Sequence, residues 1–271
     1  MDLLHEKYEN LLSVLRSFGG VAVAFSAGVD STFLLYASRE ALGENILAVT
    51  VRASCFPKKD MTQARDFCAD RGIRHVFLDF DALSVPEFRE NPPDRCYHCK
   101  RAVFGMIIAA AKESGISAVA EGTNVDDEGD YRPGLRAIAE LGVKSPLREA
   151  GLTKSEIRAL SKEFGLPTWD KPSAACLASR FVYGEAITEE KLRAVERSEE
   201  LLREMGFSAV RVRIHGRLAR IETSPDEFPR LIEPENREKI VSELKNYGFQ
   251  YVTMDLTGYR TGSMNEALKN G

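Results

Sequence analysis

The stretch "AVAFSAGVDSTFLL" (residues 22–35) decides the fold. Val21 to Phe25 is a continuous apolar run, the pattern of a strand buried on both faces in a parallel sheet. Ser26, Ala27 and Gly28 end the run in small residues, and "DSTFLLYASREALG" continues as a helix that closes at Gly43. Upstream, Leu4, Leu11, Leu12 and Leu15 recur at helical spacing and predict a first helix over 3–17. Downstream the same rhythm repeats. "NILAVTVRA", "RHVFLDF" and "SAVAEGTN" read as strands, separated by the helices "KKDMTQARDFCADRG" and "CKRAVFGMIIAAAKESG". This alternation predicts an α/β fold built on a doubly wound parallel sheet.

A further helix, "LTKSEIRALSKEFGLP", opens with Thr153 and Glu156 at the spacing of a capping box. Near Val182–Thr188 the character changes. "EEKLRAVERSEELLREMG" is a charged helix, "AVRVRIHG" and "LARIETS" pair as strands, "PENREKIVSELKNYG" is a second helix and "YVTMDLTG" a last strand. The expected organisation is a large domain over residues 1–182 and a smaller α+β domain over 183–271, resembling half of a ferredoxin-like arrangement. No internal repeat or low-complexity segment interrupts it.

With 271 residues and 44% hydrophobic content, the chain has ample material for a buried core. Its formal net charge of −4 lacks the basic footprint of a nucleic-acid-binding protein, although a local patch is compatible with it. "MDLLHEKYENLLSVLRSF" carries acids and no apolar signal core, and no stretch approaches the ~20 apolar residues of a membrane span. The expectation is a cytoplasmic chain without membrane contact. Five cysteines are an odd number, and in a reducing compartment paired disulfides are not the default.

The turn between the first strand and its helix is where chemistry begins. Small residues let successive N–H groups of Ser26, Ala27, Gly28, Val29, Asp30 and Ser31 point into one concavity at a helix N-terminus, which suits a phosphate. Ser26 and Ser31 add hydroxyls, and Asp30 can hold Mg²⁺ against phosphates. No lysine follows the glycine, so this is not the G-x-x-x-x-G-K-[ST] loop. The stretch resembles the S-G-G-x-D-S signature of the PP-loop ATP pyrophosphatases, with Ala27 where that pattern has glycine. A methyl there is expected to demand a negative φ and to crowd the cradle. Gly122, Thr123 and Asn124 stand at the end of the fourth strand, where ligands gather in open α/β sheets, followed by Asp126, Asp127, Tyr131 and Arg132. In PP-loop enzymes the matching segment lies beside the nucleotide; the plain alternative is a solvated acidic turn.

The cysteines carry the second theme. Cys96 and Cys99 form a C-x-x-C in "NPPDRCYHCK", just before the predicted long helix, and Cys176 lies in "WDKPSAACLASRF". Three thiolates can hold three irons of a cubane cluster and leave the fourth iron open. A zinc site is the alternative, but His98, the fourth ligand it needs, adjoins Cys99 and reaches the same metal poorly. Cys68, in a predicted helix, reads as a core thiol, while Cys55 is unassigned. Lys171 and Arg180 flank Cys176 and suit phosphate neutralisation or thiol activation, with surface ion pairing as the alternative. Arg211 and Arg213 alternate on one strand, so both point to one face and could fork onto a phosphate. Glu199 and Glu200 are weaker candidates; Trp169 reads as packing, and the direction of Tyr97 is open.

Together "SAGVDSTFLL", "EGTNVDD", "DYRPG", "SPL", "GLTKSEIRALSKEFGLPTWDKPSAACLASR" and "VRVRIHG" closely resemble the LarE family, over most of the chain. The resemblance implies an adenine nucleotide alpha hydrolase-like fold and an ATP-dependent sulfur transferase of nickel-pincer nucleotide biosynthesis, in the maturation of lactate racemase. Such enzymes adenylate the carboxylates of pyridinium-3,5-biscarboxylic acid mononucleotide, release pyrophosphate and insert sulfur. Members with only the cysteine matching Cys176 sacrifice its sulfur. Members with three matching thiols bind a [4Fe–4S] cluster, the type that Cys96, Cys99 and Cys176 resemble. The resemblance further implies that Arg211 and Arg213 hold the substrate phosphate and that the enzyme is a homo-oligomer, with a hexamer in view. Competing readings are a tRNA-thiolating PP-loop enzyme, an amide ligase like NAD or GMP synthetase, and a non-catalytic cluster or zinc scaffold.

Overall fold

The computed structural model describes residues 3–127, 133–172 and 175–260. Tyr131 and Arg132, and with them Ser173 and Ala174 of the "KPSAACLASR" block, lie outside the described residues. Along the chain the elements begin α1 (Leu3–Ser17), β1 (Val21–Ala24), α2 (Val29–Leu42), β2 (Ile46–Arg52), α3 (Lys58–Asp70), β3 (His75–Asp79) and α4 (Pro86–Glu90). They continue with α5 (Arg95–Glu113), β4 (Ala118–Ala120), α6 (Pro133–Glu140), α7 (Pro146–Glu149) and α8 (Lys154–Glu163). The last are α9 (Glu189–Glu204), β5 (Arg211–His215), β6 (Leu218–Glu222), α10 (Phe228–Ile232), α11 (Pro234–Asn246) and β7 (Tyr251–Met254). Two compact units divide them: Met1–Phe80 with Cys96–Ala174, and Asp81–Arg95 with Ala175–Gly271.

The first unit is a parallel sheet in the order β3-β2-β1-β4. Alternate residues of the buried strands feed two cores, as a period of two requires. Val21, Val23, Ile46 and Ala48 join α1, α2 and α8 on one face, whereas Ala22, Leu47 and Val49 join α5 residues Val103, Phe104 and Ile107 on the other. Helices therefore cover both faces, the arrangement in which continuous apolar strands are stable. The chain runs from β1 outward through β2 to β3 and returns to place β4 on the other side of β1. That reversal opens a crevice at the C-terminal ends of β1 and β4. Lys144 adds a single parallel bridge to Ala120 beyond β4. The capping box of α8 is formed: Thr153 Oγ1 accepts from the Glu156 N–H, and the Glu156 side chain accepts from the Thr153 N–H.

The second unit is a three-stranded sheet in the order β5-β6-β7. β5 and β6 form an antiparallel hairpin closed at Gly216, whose φ is 62°. β7 returns parallel to β6 after α11 and lies directly beside it. This departs from a ferredoxin-like half, in which the two strands of the βαβ unit are split by another. With β5 on one edge of β6, the other edge is where the crossover through α11 delivers β7. Leu192, Val195 and Leu202 of α9 and Val212, Ile214, Ala219 and Ile221 of the strands are buried here. Among the described residues no helix is long and apolar enough to cross a membrane.

Candidate active site

The crevice is built by the turns after β1 and β4. Beyond β1 the Phe25 N–H still bonds the Val49 carbonyl at 2.9 Å, and then the chain turns into α2. Ala27 makes the turn with a φ of 53°, and Gly28 returns to extended geometry at φ −83° and ψ 170°. The expectation of a negative φ at Ala27 does not hold. A left-handed residue with a Cβ costs about 1–2 kcal/mol, and its surroundings hold it there. The methyl is part of the core, and the Lys171 ammonium donates to the Ala27 carbonyl at 2.9 Å. The Ser26 and Ser31 hydroxyls lie 3.1 Å apart, and the Ser26 N–H donates to Ser31 Oγ at 3.3 Å.

Asp30 stands in the first turn of α2, where its charge suits the helix dipole. Asn124 Nδ2 donates to Asp30 Oδ1 at 3.3 Å, and the Lys154 ammonium pairs with Oδ2. Gly122 crosses closest: a Cβ there would lie 3.0 Å from Asp30 Cβ and 3.1 Å from the Ser31 nitrogen. Only glycine allows the β4 turn to approach α2 this tightly. Below it, the buried Glu121 carboxylate accepts from the Thr123 N–H at 3.1 Å, Thr123 Oγ1 at 2.8 Å and Ser145 Oγ at 2.7 Å. The two aspartates that follow serve the backbone. Asp127 accepts from the Asn124 N–H at 3.0 Å, and Asp126 accepts from the Lys154 N–H at 2.7 Å.

Lys171 lies in the first unit, where besides Ala27 it donates to Asp60 Oδ1 at 2.7 Å and Gln63 Oε1 at 2.6 Å. Arg158 fixes that loop by donating to the carbonyls of Trp169 at 2.7 Å and Lys171 at 2.8 Å. Trp169 is not packed as expected. Its ring is exposed, with the Lys162 ammonium 4.7 Å from its centroid. Thr50 Oγ1 donates to the Phe25 carbonyl at 2.7 Å and stands 2.8 Å from His75 Nε2. With its proton committed to Phe25, the hydroxyl accepts from a His75 ring carrying its hydrogen on Nε2. Burial pushes the His75 pKa down to about 4.

Cys96 and Cys99 sit within α5 rather than before it. The Arg95 N–H bonds the Pro92 carbonyl at 3.0 Å, and nothing in "RCYHC" opposes helix, so the helix starts as soon as the prolines end. Three residues apart, the thiols share one helix face; Cys96 is exposed and Cys99 half-buried. Tyr97 turns to α6, donating to Glu140 Oε2 at 2.6 Å, with the Arg136 guanidinium 4.0 Å from its ring centroid. Cys55 and Cys68 are buried, and burial pushes the Cys68 thiol up to about 12, against the opposing pull of Arg71. Cys68 is thereby a core thiol.

In the second unit, half-buried Cys176 precedes a short 3₁₀ turn, Leu177–Arg180. Arg180 is buried and forks onto Glu199, Nε to Oε1 at 2.8 Å and Nη2 to Oε2 at 3.0 Å. Its Nη1 donates to the carbonyls of Ala175 at 2.8 Å and Cys176 at 3.0 Å, so it reaches Cys176 through the backbone. Glu199 also accepts from Arg203 at 2.5 Å and from the Val212 N–H at 3.2 Å. Burial pushes Glu199 upward, but the Arg180 hydrogen bonds and the charges of Arg180, Arg203 and Arg211 hold it below the ordinary carboxylate value. Burial, with nearby Arg180, pushes Arg211 down. Arg213 forks onto Glu222 at 3.0 Å on both nitrogens and donates to the Ser179 carbonyl at 2.7 Å. Arg211 donates to the Val210 carbonyl at 2.7 Å and stands 5.1 Å from the Tyr259 ring centroid. Glu200 is exposed. Among the described residues no group of three His, Cys, Asp or Glu side chains is arranged to hold a metal ion.

No local sequence pattern marks Glu121, Ser145, Asp60 or Arg158, whose partners lie far along the chain or in loops. Lys154 had one legible signal: a cation in the first turn of a helix opposes the dipole and needs an outside partner.

No family model matches the chain. It is 38% identical over 266 residues to an uncharacterized protein of Synechocystis, across 98% of this chain and 99% of that one. It is 36% identical over 269 residues to the pyridinium-3,5-bisthiocarboxylic acid mononucleotide synthase of Lactiplantibacillus plantarum, across 99% of this chain and 97% of the synthase. Over 215 residues it is 30% identical to the tRNA-specific 2-thiouridylase MnmA of Azorhizobium caulinodans, across 64% of this chain and 54% of that protein. A parallel sheet with a small-residue turn at its switch point, in a chain whose sequence is similar to a bisthiocarboxylic acid mononucleotide synthase and to a tRNA 2-thiouridylase, defines an ATP-dependent sulfur-transferring enzyme of the PP-loop type. Within that class, similarity running from end to end leaves no ambiguity of branch. The chain belongs to the LarE family.

Proposed function

We propose that the enzyme converts the carboxylates of pyridinium-3,5-biscarboxylic acid mononucleotide to thiocarboxylates, one per round. The full-length similarity to the Lactiplantibacillus plantarum synthase carries this reading. A carboxylate is a poor acyl donor because oxide is a poor leaving group, so its oxygen first attacks the α-phosphorus of ATP and pyrophosphate leaves. The acyl adenylate then loses AMP to an incoming sulfur nucleophile. The turn Ser26–Ser31 offers the N–H cradle for the phosphates, with Lys154 and Lys171 supplying cations beside it. Asp30 is the carboxylate that would hold Mg²⁺; its charge is balanced here by Lys154. Gly122, Thr123 and Asn124 close the other side. Arg211 is the proposed anchor for the substrate phosphate, with Arg213 behind it on Glu222.

Sulfur delivery is assigned to the thiols. Cys96, Cys99 and Cys176 are the soft donors that would hold three irons of a [4Fe–4S] cluster, a group that when bound supplies a sulfur nucleophile without consuming the chain, although the described residues do not gather three such side chains around one position in this structure. The shared helix face of Cys96 and Cys99 supports that assignment. Arg180 fixes the backbone of Cys176 against Glu199 and so orients its thiol. We place the reaction in the cytoplasm, where thiols stay reduced, in a homo-oligomer.

The test is anaerobic turnover with ATP, Mg²⁺ and the pyridinium dicarboxylate. The expected result is pyrophosphate release with exchange of oxygen for sulfur in the product, and an unchanged mass at Cys176. Loss of H₂S from Cys176 would transfer the sulfur source to that residue. Full iron content in a C96A/C99A variant would remove the cluster assignment, and pyrophosphate release without the pyridinium substrate would remove the acceptor.

A further inference from the structure

Within the first unit, a closed ring of contacts joins the start of α2, the turn after β4 and the start of α8. The Lys154 ammonium rests on Asp30 Oδ2, and Asn124 Nδ2 donates to Asp30 Oδ1 at 3.3 Å. Asn124 Oδ1 accepts from the Asp126 N–H at 2.9 Å, which fixes the end of the amide that faces Asp30. Asp126 Oδ2 accepts from the Lys154 N–H at 2.7 Å and completes the ring. Beside it the Val125 N–H bonds the Leu152 carbonyl at 3.1 Å.

The ring holds some of its members more firmly than others. Asp30 is hemmed in by Gly122, where a Cβ would lie 3.0 Å from Asp30 Cβ, and the Lys154 backbone is held by Asp126. The freedom left is in the lysine's flexible four-carbon stem, which is partly exposed. Magnesium is commonly held by one or two carboxylates together with substrate phosphates. Asp30, in the first turn of α2, fits that role when the phosphates arrive with ATP. It does not fit a resident ion. One of its oxygens carries an ammonium and the other an amide donor, while Asp126 and Asp127 accept from backbone N–H groups. A divalent ion at Asp30 would also face the repulsion of a tethered cation and of the positive end of α2.

A lysine in the first turn of a helix opposes the dipole, and Asp30 gives this one a resting partner. The phosphates of ATP carry more negative charge than one carboxylate and are the stronger partner for the same ammonium. We propose that Lys154 is a displaceable counter-cation that keeps divalent ions off Asp30 until the triphosphate takes its ammonium. Lys154 then neutralises phosphate oxygens, and Asp30, still fixed by Asn124, has Oδ2 available for the ion that accompanies ATP. Binding is thereby ordered: metal enters with nucleotide and does not bind at Asp30 before it. This rests on the reading that the Ser26–Ser31 turn takes the phosphates of ATP.

The test uses the full-length, nucleotide-free chain and Mn²⁺ alone, with free Mn²⁺ followed by electron paramagnetic resonance. Wild type is compared with Lys154→Met and with Lys154→Met combined with Asp30→Asn; Lys154→Gln serves if the first variant fails to fold. Removing one positive charge beside a dication should give Lys154→Met a Mn²⁺ site at least about tenfold tighter than wild type has. Adding Asp30→Asn should abolish that gain. Lys154→Arg, which keeps the charge, should behave as wild type does. Equal Mn²⁺ affinity in wild type and Lys154→Met, or a gain that survives Asp30→Asn, would overturn the counter-cation role. A parallel calorimetric titration with Mg²⁺ and α,β-methylene ATP, which cannot release pyrophosphate, tests the reading beneath it. Wild type that fails to bind this analogue would remove the ATP reading and the exchange with it, whereas the Mn²⁺ titration would still report whether the lysine guards Asp30.

Discussion

Lys154 and Asp30 are separated by 124 positions, yet the lysine ammonium rests on Asp30 Oδ2 at the start of α2. The pair joins the N-terminus of α8 to that of α2, and both helices present their positive ends where the phosphates of ATP are proposed to lie. The lysine therefore acts against its own helix dipole in favour of the site.

Lys154→Gln should lower the rate of pyrophosphate release at saturating ATP by about 10²–10³, the usual loss for one electrostatic contact to a departing charged group. Stability should change by less than ~1 kcal/mol, because both partners of the ion pair are partly solvated. A coupled pyrophosphate assay beside thermal denaturation separates the two effects. Normal turnover in the variant would reduce Lys154 to a partner of Asp30.

Ala27 tests whether the departure from glycine in the phosphate turn has a cost. With φ at 53°, replacement by glycine removes a Cβ from a conformation it disfavours, and Ala27→Gly should stabilise the folded chain by up to about 1 kcal/mol. The Lys171 hydrogen bond to the carbonyl of residue 27 does not depend on the methyl. ATP affinity should therefore hold while the denaturation midpoint rises. A lower midpoint would show that the buried methyl contributes more through packing than it costs in backbone strain.

How much was legible in the sequence depended on whether a signal was local. The apolar run Val21–Phe25, the closing Gly43 and the Thr153–Glu156 box each act within a few residues, and the strands and helices follow from them. The placement of Cys96 and Cys99 inside α5 is not legible locally, because a C-x-x-C resembles a loop motif whereas its residues all permit helix once Pro92 and Pro93 are past. The allegiance of Asp81–Arg95 to the second unit has no periodic signature, since it depends on Asn91 meeting carbonyls far along the chain. Strand order behaves likewise. A hairpin is announced by Gly216, but which edge of β6 receives β7 is settled by packing.

Arg180 and Glu199 make the next prediction. Both are buried, at 3% and 0% side-chain exposure, and they share two hydrogen bonds. Arg180→Ala leaves the Glu199 carboxylate under a burial penalty that Arg203, half-exposed, offsets only in part. The loss should be about 3–5 kcal/mol. Because Arg180 also grips the Ala175 and Cys176 carbonyls, sulfur delivery should fall beyond what lost stability explains. A combined Arg180→Met and Glu199→Met variant should regain much of the stability, as paired apolar replacements of buried ion pairs do, without regaining sulfur transfer. Urea unfolding beside single-turnover product formation distinguishes these outcomes, and a fully active double variant would deny Arg180 its orienting role.

His75 gives the chain a pH dependence whose sign is fixed by burial. The ordinary histidine value is about 6.5, and burial lowers that of the folded chain to about 4. Between these values the unfolded chain binds a proton that the folded chain does not, so stability rises with pH across the window. Above about pH 6.5 the contribution is complete; it is lost as the pH falls and levels off once the folded ring also titrates, near pH 4. The ring supports Thr50, which holds the Phe25 carbonyl at the root of the phosphate turn. Because the folded ring stays neutral down to about pH 4 and its Nε2–H donates to Thr50 in either state, ATP affinity of the folded chain should not follow this titration. His75→Gln retains an N–H donor for Thr50 but cannot titrate. Its denaturation midpoint should consequently lose the wild-type slope between pH 6.5 and pH 4 while ATP binding at neutral pH is preserved. An identical slope in the two proteins would assign the acid sensitivity to the carboxylates instead.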